Sequence, residues 1–390
     1  MNTVADKIRA EIAGRGAISF ARFMELALYC PDCGFYEREN DTIGRRGDFY
    51  TSVSVGPLFG ELLAFQFAEW LAGFGVPLSG GQRAKNCPKA ELRTELHPVQ
   101  IVEAGAHDGR LAKDILNWLR WHRPALFGQI EYGIVEPSAR RQERQRETLG
   151  EFAPRVRWVA ELSSLGDGSK GAVSHPRSVC GIIFGNELLD ALPVQRMGWD
   201  ARRREWFEWG VIAEKQRFVW ARLANANPVS RFPFPVPPEV LAVLPDGFTT
   251  EVCPAAESWW RAAAGRLERG RLLTFDYGLN AEEFLSPQRD GGTLRAYHRH
   301  RFSADVLGNV GEQDLTAHVN FSAIQAAGEA AGLRTERLET QARFLTDIAR
   351  RAWDEGSDFG PWTPAHTRQF QTLTHPEHLG RPFRVLVQAK

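Results

Sequence analysis

Short apolar runs alternate with amphipathic helices over residues 99–184, and this alternation limits the fold more than any other feature of the chain. The runs have the length and composition of β-strands: VQIVEA (99–104), YGIVE (132–136), RVRWV (155–159) and VCGIIF (179–184). After the first run, Leu111, Ile115 and Leu119 recur four residues apart, as on one face of a helix. Strands that alternate with helices predict a parallel sheet covered on both faces.

Polar and small residues follow three of these runs. Glu103–Gly109 end the first run, Glu136 ends the second, and Asn186–Asp190 follow the last. Ligands of parallel sheets bind at the carboxyl ends of the strands. We therefore expect these three segments to form a ligand site.

The chain divides into four segments that differ in composition and in predicted secondary structure. Residues 1–98 are predicted to be a helical N-terminal region, and residues 99–193 form the α/β core. Residues 194–270 contain aromatic runs typical of an inserted antiparallel β meander, then six prolines between 228 and 245 that predict an irregular linker, then a helix. Residues 271–390 complete the core.

The N-terminal region contains one long predicted helix at 56–73. Its apolar residues form a single stripe: Leu58, Leu62, Phe65 and Leu71. The polar stretch 79–97 is predicted to be a surface loop or a short helix.

Composition excludes several classes of protein. The 48 Lys and Arg residues balance 48 Asp and Glu residues, so no net positive field favours nucleic acid or anionic lipid. No apolar run approaches the roughly 20 residues that cross a bilayer, and the N-terminal residues lack the apolar core of a secretory signal. Five cysteines in 390 residues are too few for a disulfide framework. We therefore predict a cytoplasmic enzyme that binds no nucleic acid and is not inserted in a membrane.

The segment Glu103–Gly109 (EAGAHDG) joins the first strand to the next helix. Small residues there let a ligand approach backbone N–H groups at a helix N-terminus. The spacing lacks the G-x-G-x-x-G of dinucleotide-binding proteins, which disfavours an NAD-dependent oxidoreductase. It fits the E-x-G-x-G-x-G loop of methyltransferases that use S-adenosylmethionine (SAM), except that His107 stands at the middle glycine.

Glu136 is the second candidate for a ligand-binding residue. An acid at the end of the second strand can accept hydrogen bonds from both hydroxyls of a nucleoside ribose. Alternatively, its carboxylate caps the helix predicted to begin at Pro137. The residues alone leave both interpretations open.

A third group of polar residues follows the fourth strand, in the sequence NELLDALP (186–193). Glu187 and Asp190 lie three residues apart, which places them on one face if this turn is helical. Two carboxylates together can hold a guanidinium through bidentate hydrogen bonds. The alternative is a pair of acids favoured by the dipole at a helix N-terminus.

Several longer motifs resemble those of the MidA family of methyltransferases, which includes the mitochondrial complex I assembly methyltransferase and many bacterial proteins. They are GDFYTS (47–52), LFGELLA (58–64), IVEPS (134–138), NELLDALPV (186–194), FDYG (275–278), GGTLRAYHRHR (291–301) and GEQDLTAHVNFS (311–322). The resemblance implies a class I SAM-methyltransferase fold, a Rossmann-like α/β sheet of seven strands with an antiparallel last hairpin. It also implies SAM as the cofactor and an arginine of a protein as the methyl acceptor. A subunit of respiratory complex I is one candidate for that protein.

The resemblance also implies roles for individual residues. The cofactor-binding residues would be Glu103, Ala104, Gly105, His107, Gly109, Glu136, Pro137 and Asn186. The catalytic and acceptor-orienting residues would be Asp48, Asn186, Glu187 and Asp190, with Glu61 as a further candidate. The N-terminal region would contribute to the acceptor cleft. Whether the protein forms a homodimer stays open.

Three residues depart from the family pattern: His107 replaces the middle glycine, Ser54 stands where Glu is usual, and Asn320 replaces an Asp. These departures keep a catalytically inactive binding or assembly protein as an alternative. A small-molecule methyltransferase is a second alternative, since the sequence does not show whether the acceptor pocket is open or closed.

The sequence predicts no metal site. Cys30-Pro-Asp-Cys33 is a single CxxC, whereas zinc needs about two further ligands at workable spacing. We interpret these two cysteines as ordinary loop thiols. Metal binding by His298, His300 and His318 is disfavoured, since His298 and His300 lack a nearby carboxylate at ligand spacing.

Overall fold

The structure is a computed structural model. It describes residues 3–38, 51–73, 99–165, 178–223, 236–299, 301–354 and 357–390. Asp48, His300 and the predicted surface segment 79–97 lie outside these ranges.

Thirteen α-helices and sixteen strands are present in the described residues. The helices are α1 (Val4–Arg15), α2 (Phe20–Tyr29), α3 (Ser52–Val55), α4 (Leu58–Ala72), α5 (Arg110–His122), α6 (Pro124–Gln129), α7 (Ala139–Leu149), α8 (Pro238–Val243), α9 (Pro254–Arg266), α10 (Ala281–Phe284), α11 (Phe321–Ala330), α12 (Gln341–Ala352) and α13 (Pro364–Thr374). The strands are β1 (Ile18–Ser19), β2 (Gln100–Ala104), β3 (Glu131–Val135), β4 (Val156–Val159), β5 (Val179–Asn186), β6 (Gln195–Asp200), β7 (Glu205–Glu214), β8 (Arg217–Arg222), β9 (Thr249–Val252), β10 (Leu267–Leu279), β11 (Arg295–His298), β12 (Arg301–Ser303), β13 (Asp314–Thr316), β14 (Val319–Asn320), β15 (Arg334–Thr340) and β16 (Phe383–Ala389).

The chain folds into two compact units. The core unit comprises Thr51–Asn186, Ala262–Phe275 and Ala331–Lys390. The meander unit comprises Met1–Tyr50, Glu187–Arg261 and Asp276–Ala330. These units cut across the four segments expected from the sequence, because the first and the last segments each contribute to both; the four-segment division stays a prediction.

The core unit contains the sheet that the sequence predicts. Seven strands lie in the order β15-β16-β10-β5-β2-β3-β4. The strands β10, β5, β2, β3 and β4 run parallel, and β15 pairs antiparallel with β16. The expected α/β fold of a class I SAM methyltransferase, with its antiparallel last hairpin, is confirmed.

Helix α4 forms where the sequence predicts it but is buried differently. Phe59, Leu63 and Phe67 are as inaccessible as Leu58 and Leu62 of the predicted stripe. The helix packs against α5, α12 and α13, so the single-stripe prediction is wrong. A helix that is apolar on all sides is one that neighbouring elements enclose.

Two other local predictions need correction. Helix α7 begins at Ala139 rather than at Pro137, because the Ser138 side chain accepts a hydrogen bond from Arg141 N and caps the helix. The proline-rich linker is not wholly irregular, since α8 lies within it and has Pro238 in its first turn. Proline fits there because the first N–H groups of a helix have no partner inside it.

The meander unit contains the predicted antiparallel insertion. Its main sheet has the order β1-β7-β6-β9, with β8 paired to β7, and every pairing in it is antiparallel. A smaller sheet joins β12, β11 and β13. Helices α1 and α2 supply the buried residues Ile8, Phe20 and Phe23 to an apolar cluster that also contains Val211 of β7.

Among the helices of the described ranges, none combines the length and the apolar character needed to cross a membrane.

Candidate functional site

The loop between β2 and α5 has three residues in the left-handed region of backbone conformation. Gly105 has φ of 71°, His107 of 46° and Gly109 of 84°. At Gly109 an added Cβ would lie 3.3 Å from the Cα of Gln145, so the close approach of α7 also favours glycine. The loop turns sharply into the N-terminus of α5, where backbone N–H groups lack partners within the helix. This arrangement suits a negatively charged or polar ligand group.

His107 adopts the backbone conformation that its glycine counterpart would adopt freely. Its side chain is 24% exposed, and its Nδ1 lies 3.8 Å from Asp108 Oδ1. Burial opposes ionisation of Asp108, but contact with the imidazole and the positive charge of Arg110 outweigh burial and lower the pKa of Asp108 to about 2. The imidazole therefore lies beside a carboxylate.

Glu103 is buried within β2. It is 2% exposed, and Tyr132 donates a hydrogen bond of 2.7 Å to its Oε2. Burial raises the pKa of Glu103 to about 7, and the negative charges of Asp108 and Asp114 add to the effect. Its role in cofactor binding stays a prediction, as does that of Ala104, which is also buried.

Glu136 performs one of the two roles that the sequence left open, that of a helix cap. Its Oε1 accepts a hydrogen bond from Ser138 N at 2.9 Å, which caps the start of α7. The same oxygen pairs with Arg141 Nη2 at 3.0 Å, and the carboxylate is only 1% exposed. A ribose-binding role stays a prediction, as does contact with the exposed Pro137.

Gln145 connects the loop between β2 and α5 (residues 105–109, the glycine loop) to Glu136, and sequence reasoning missed it. Its Nε2 donates to His107 O at 3.0 Å and to Glu136 Oε2 at 3.3 Å. Its Oε1 accepts from Trp158 Nε1 at 2.9 Å, and the side chain is fully buried. The available signal was its spacing four residues before Leu149, the other buried residue of the polar helix α7.

The expected helical turn at Glu187 and Asp190 does not form. Glu187 has φ of 52° and begins a turn outside any helix. Glu187 and Asp190 therefore neither share a helical face nor lie at a helix N-terminus. Asp190 is only 4% exposed. A left-handed residue directly after β5 redirects the chain before a helix can start.

Asp190 instead belongs to an acidic cluster of the meander unit, which we define as Asp190, Asp276 and Asp314. All three are less than 5% exposed. Asp276 accepts hydrogen bonds from Leu189 N at 2.8 Å and Tyr277 N at 2.9 Å. Asp314 was missed by sequence reasoning, because its three-residue strand has no apolar periodicity.

Burial and mutual repulsion govern the charge of the acidic cluster. Burial raises the pKa of Asp190 well above its ordinary value, and the charges of Asp276 and Asp314 raise it further. Burial likewise raises the pKa of Asp276, with Glu187 as an additional negative neighbour. Tyr36 donates a hydrogen bond of 2.8 Å to Asp314 Oδ1. The cluster therefore favours either a bound proton or a bound cation.

The remaining sequence candidates lie in different surroundings. Asn186 is the last residue of β5 and is half-buried. Glu61 of α4 lies 3.5 Å from His366 Nε2, and burial raises its pKa although His366 opposes this. Ser54 completes the cap of α3, and Asn320 Oδ1 accepts from Ala323 N at the start of α11. Both departures from the family pattern therefore serve as helix caps.

No group of three or more histidine, cysteine or acidic side chains has the geometry of a metal site within the described ranges.

Comparison with known proteins identifies relatives over most of the chain. Residues 81–338 match a family described as "Putative S-adenosyl-L-methionine-dependent methyltransferase". A crystal structure from Burkholderia thailandensis, bound to S-adenosyl-homocysteine, superimposes with a TM-score of 0.77 at 33% identity and covers 99% of this chain and 92% of its own.

Two curated relatives are mitochondrial proteins. The protein arginine methyltransferase NDUFAF7 of Mus musculus is 30% identical over 83% of this chain and 69% of its own length. The NDUFAF7 homolog of Drosophila melanogaster is 26% identical over 98% of this chain and 84% of its own length. Their location contradicts the predicted cytoplasmic one, so that prediction is wrong. It rested on composition, on the cysteine count and on the lack of a secretory signal and of a long apolar run, and none of these features distinguishes a cytoplasmic protein from a mitochondrial one.

Proposed function

The chain belongs to this family of S-adenosyl-L-methionine-dependent methyltransferases, and from that premise we propose that it methylates the guanidinium group of an arginine in a protein. SAM supplies the methyl group from a sulfonium centre, and an in-line displacement of this kind depends mainly on proximity and alignment. The residues of the chain must therefore hold the cofactor and orient and deprotonate the acceptor.

The residues of the core unit fit the cofactor. Gly105 and Gly109 carry no side chain where the loop enters α5, which lets a carboxylate-bearing ligand approach the backbone there, although the first N–H of the helix, that of Arg110, already donates to Asp108 Oδ1. Glu136 lies at the end of the neighbouring strand and would accept the ribose hydroxyls. Gln145 would hold both parts in register, because it bonds to each of them.

The observation that carries the proposed acceptor is the acidic cluster of the meander unit. Asp190 and Asp276 form no ion pair with a lysine or arginine among the residues described here. A guanidinium is a planar cation with five donors that match carboxylate oxygens. Its entry would favour the ionised form of these carboxyl groups, which burial otherwise disfavours.

The same carboxylates would also take up a proton. Nitrogen of a charged guanidinium is a poor nucleophile, so a proton must leave it as the new N–C bond forms. The raised pKa values of Asp190 and Asp276 increase their affinity for that proton. One carboxylate can then orient the guanidinium while its neighbour accepts the proton.

A subunit of respiratory complex I is the acceptor protein that we propose. The support is the likeness to relatives named NDUFAF7 together with the motif resemblance.

Sedimentation of the purified chain would test the homodimer that the sequence left open.

The test is transfer of a deuterated methyl group to an extract of cells that lack this protein. Mass spectrometry should find deuterated methyl-arginine in a protein when the wild type is added. The variants Asp190→Asn and Asp276→Asn should lose at least about tenfold of this signal, since each removes a charge that would bind the acceptor.

Asp246→Asn is the matched control, because Asp246 lies exposed in the same unit and bonds to Ala201 N. It should methylate as the wild type does. Label on lysine only, or on small molecules only, would contradict the proposed acceptor, and the second result would favour a small-molecule methyltransferase.

A further inference from the structure

Two cysteine sulfurs touch in a tight turn that follows α2. The Sγ atoms of Cys30 and Cys33 are 3.4 Å apart. Cys33 N and Gly34 N both donate to Cys30 O, at 3.2 Å and 2.7 Å. An added Cβ at Gly34 would lie 2.6 Å from Cys30 N, so the turn accepts no larger residue there without shifting. The backbone thus holds the two side chains together.

The dithiol has a cationic neighbour and one accessible sulfur. Lys7 Nζ lies 3.2 Å from Cys30 Sγ. Cys30 is 4% exposed, whereas Cys33 is half-buried. The thiolate is the form that reacts with disulfides. Burial and the neighbouring Cys30 raise the pKa of the Cys33 thiol, and the positive charge of Lys7 opposes this.

We propose that Cys30 and Cys33 are a site of reversible oxidation, at which they form a disulfide by exchange with a low-molecular-weight disulfide such as oxidised glutathione. The accessible Cys33 thiolate attacks that disulfide, forms a mixed disulfide and releases one glutathione thiolate. The Cys30 thiolate, beside Lys7, then attacks Cys33 Sγ and releases the second. The protein loses two electrons and two protons, which the two glutathione molecules take up as thiols.

The turn lies between two tyrosines that contact neighbouring parts of the meander unit. The rings of Tyr29 and Tyr36 stack with centroids 5.4 Å apart. Tyr29 Oη donates to Ala191 O at 3.0 Å, and Tyr36 Oη donates to Asp314 of the acidic cluster. Formation of a bond shorter than the present sulfur contact would tighten this turn. The oxidation site does not depend on the identity of the methyl acceptor.

The test is equilibration of the full chain in mixtures of reduced and oxidised glutathione, followed by rapid alkylation and peptide mass spectrometry. The peptide with both cysteines should lose two hydrogens and escape alkylation as the oxidised fraction rises, and added reductant should reverse this. Cys180 and Cys253 are internal controls and should not form a disulfide with each other. Burial raises the pKa of the Cys253 thiol to about 12, so it should also react slowly.

Two variants separate the steps of the exchange. Cys30→Ser should stop at the mixed disulfide on Cys33, and Lys7→Met should slow closure of the disulfide about tenfold without preventing it. Circular dichroism confirms that each variant is folded. Persistent alkylation of both wild-type cysteines in fully oxidised buffer would overturn the proposal, as would a wild type that accumulates only the mixed disulfide.

Discussion

Gln145 ties the glycine loop to Glu136, at the end of β3, through a single buried side chain. Replacing it with leucine would leave His107 O, Glu136 Oε2 and Trp158 Nε1 without their common partner. We predict that Gln145→Leu weakens binding of S-adenosylhomocysteine about tenfold, as expected for lost hydrogen bonds to a charged group. Isothermal calorimetry measures this.

The matched control is Gln66→Leu. Gln66 is also a buried glutamine of the core unit and bonds to Glu69 and Arg351. It should lower thermal stability but leave the dissociation constant unchanged. If Gln145 positions Glu136, Gln145→Leu should reduce the affinity for the 2′-deoxy analogue of the ligand less than the affinity for the ligand itself. An equal loss of affinity for both ligands would indicate a purely structural role.

His107 permits a second prediction at the residue scale. Its backbone already has the left-handed conformation, and its side chain lies beside Asp108. His107→Gly should therefore bind S-adenosylhomocysteine within about threefold of the wild type, since the loop already holds a conformation that glycine adopts freely. Tightening beyond about tenfold would show that the imidazole obstructs the ligand, and comparable weakening would show that it binds it.

At the scale of elements, α4 and α5 approach closely at one glycine. A Cβ added to Gly60 would lie 2.6 Å from Asp114 Cβ. We predict that Gly60→Ala destabilises the protein by about 1–3 kcal/mol, because the two helices must separate. The midpoint of thermal unfolding reports this change.

Gly265→Ala in α9 is the matched control, because the added methyl group meets no neighbouring atom there. No atom lies within 4 Å of the Cβ that alanine would add there. Gly265→Ala should stabilise the protein by about 0.5–1 kcal/mol through helix propensity alone. Equal destabilisation by both changes would argue against the close approach of α4 and α5.

The elements also show what the sequence can and cannot predict. The strands of the core sheet were recognisable because parallel strands buried on both faces are continuous apolar runs, as in β2 and β5. The enclosure of α4 on all sides depends on α12 and α13, which lie some 270 residues or more later in the chain. The acidic cluster joins residues from three distant segments, and only the folded chain shows that they are neighbours.

At the scale of the whole molecule, buried acids of the core unit make stability depend on pH. Burial raises the pKa of Glu103 to about 7, from an ordinary value of 4.5. The folded state therefore keeps a proton that the unfolded state loses, and stability falls as pH rises through this window. The cost is roughly 3 kcal/mol once both states are ionised.

We predict that the unfolding temperature falls between about pH 5 and about pH 8, and that Glu103→Gln reduces this fall. Asp114, whose pKa burial also raises to about 7, should account for part of what is left, so Asp114→Asn should reduce the fall as well. A pH dependence unchanged in both variants would mean that neither carboxyl titrates as described.

The central claim is that the glycine loop and Glu136 of the core unit hold the cofactor, while the acidic cluster of the meander unit acts on the acceptor. Calorimetric titration of S-adenosylhomocysteine into the wild type, Glu136→Ala and Asp276→Asn tests this division most directly. Glu136→Ala should bind at least about tenfold more weakly, whereas Asp276→Asn should bind as the wild type does. Unchanged binding by Glu136→Ala, or a large loss in Asp276→Asn, would contradict it.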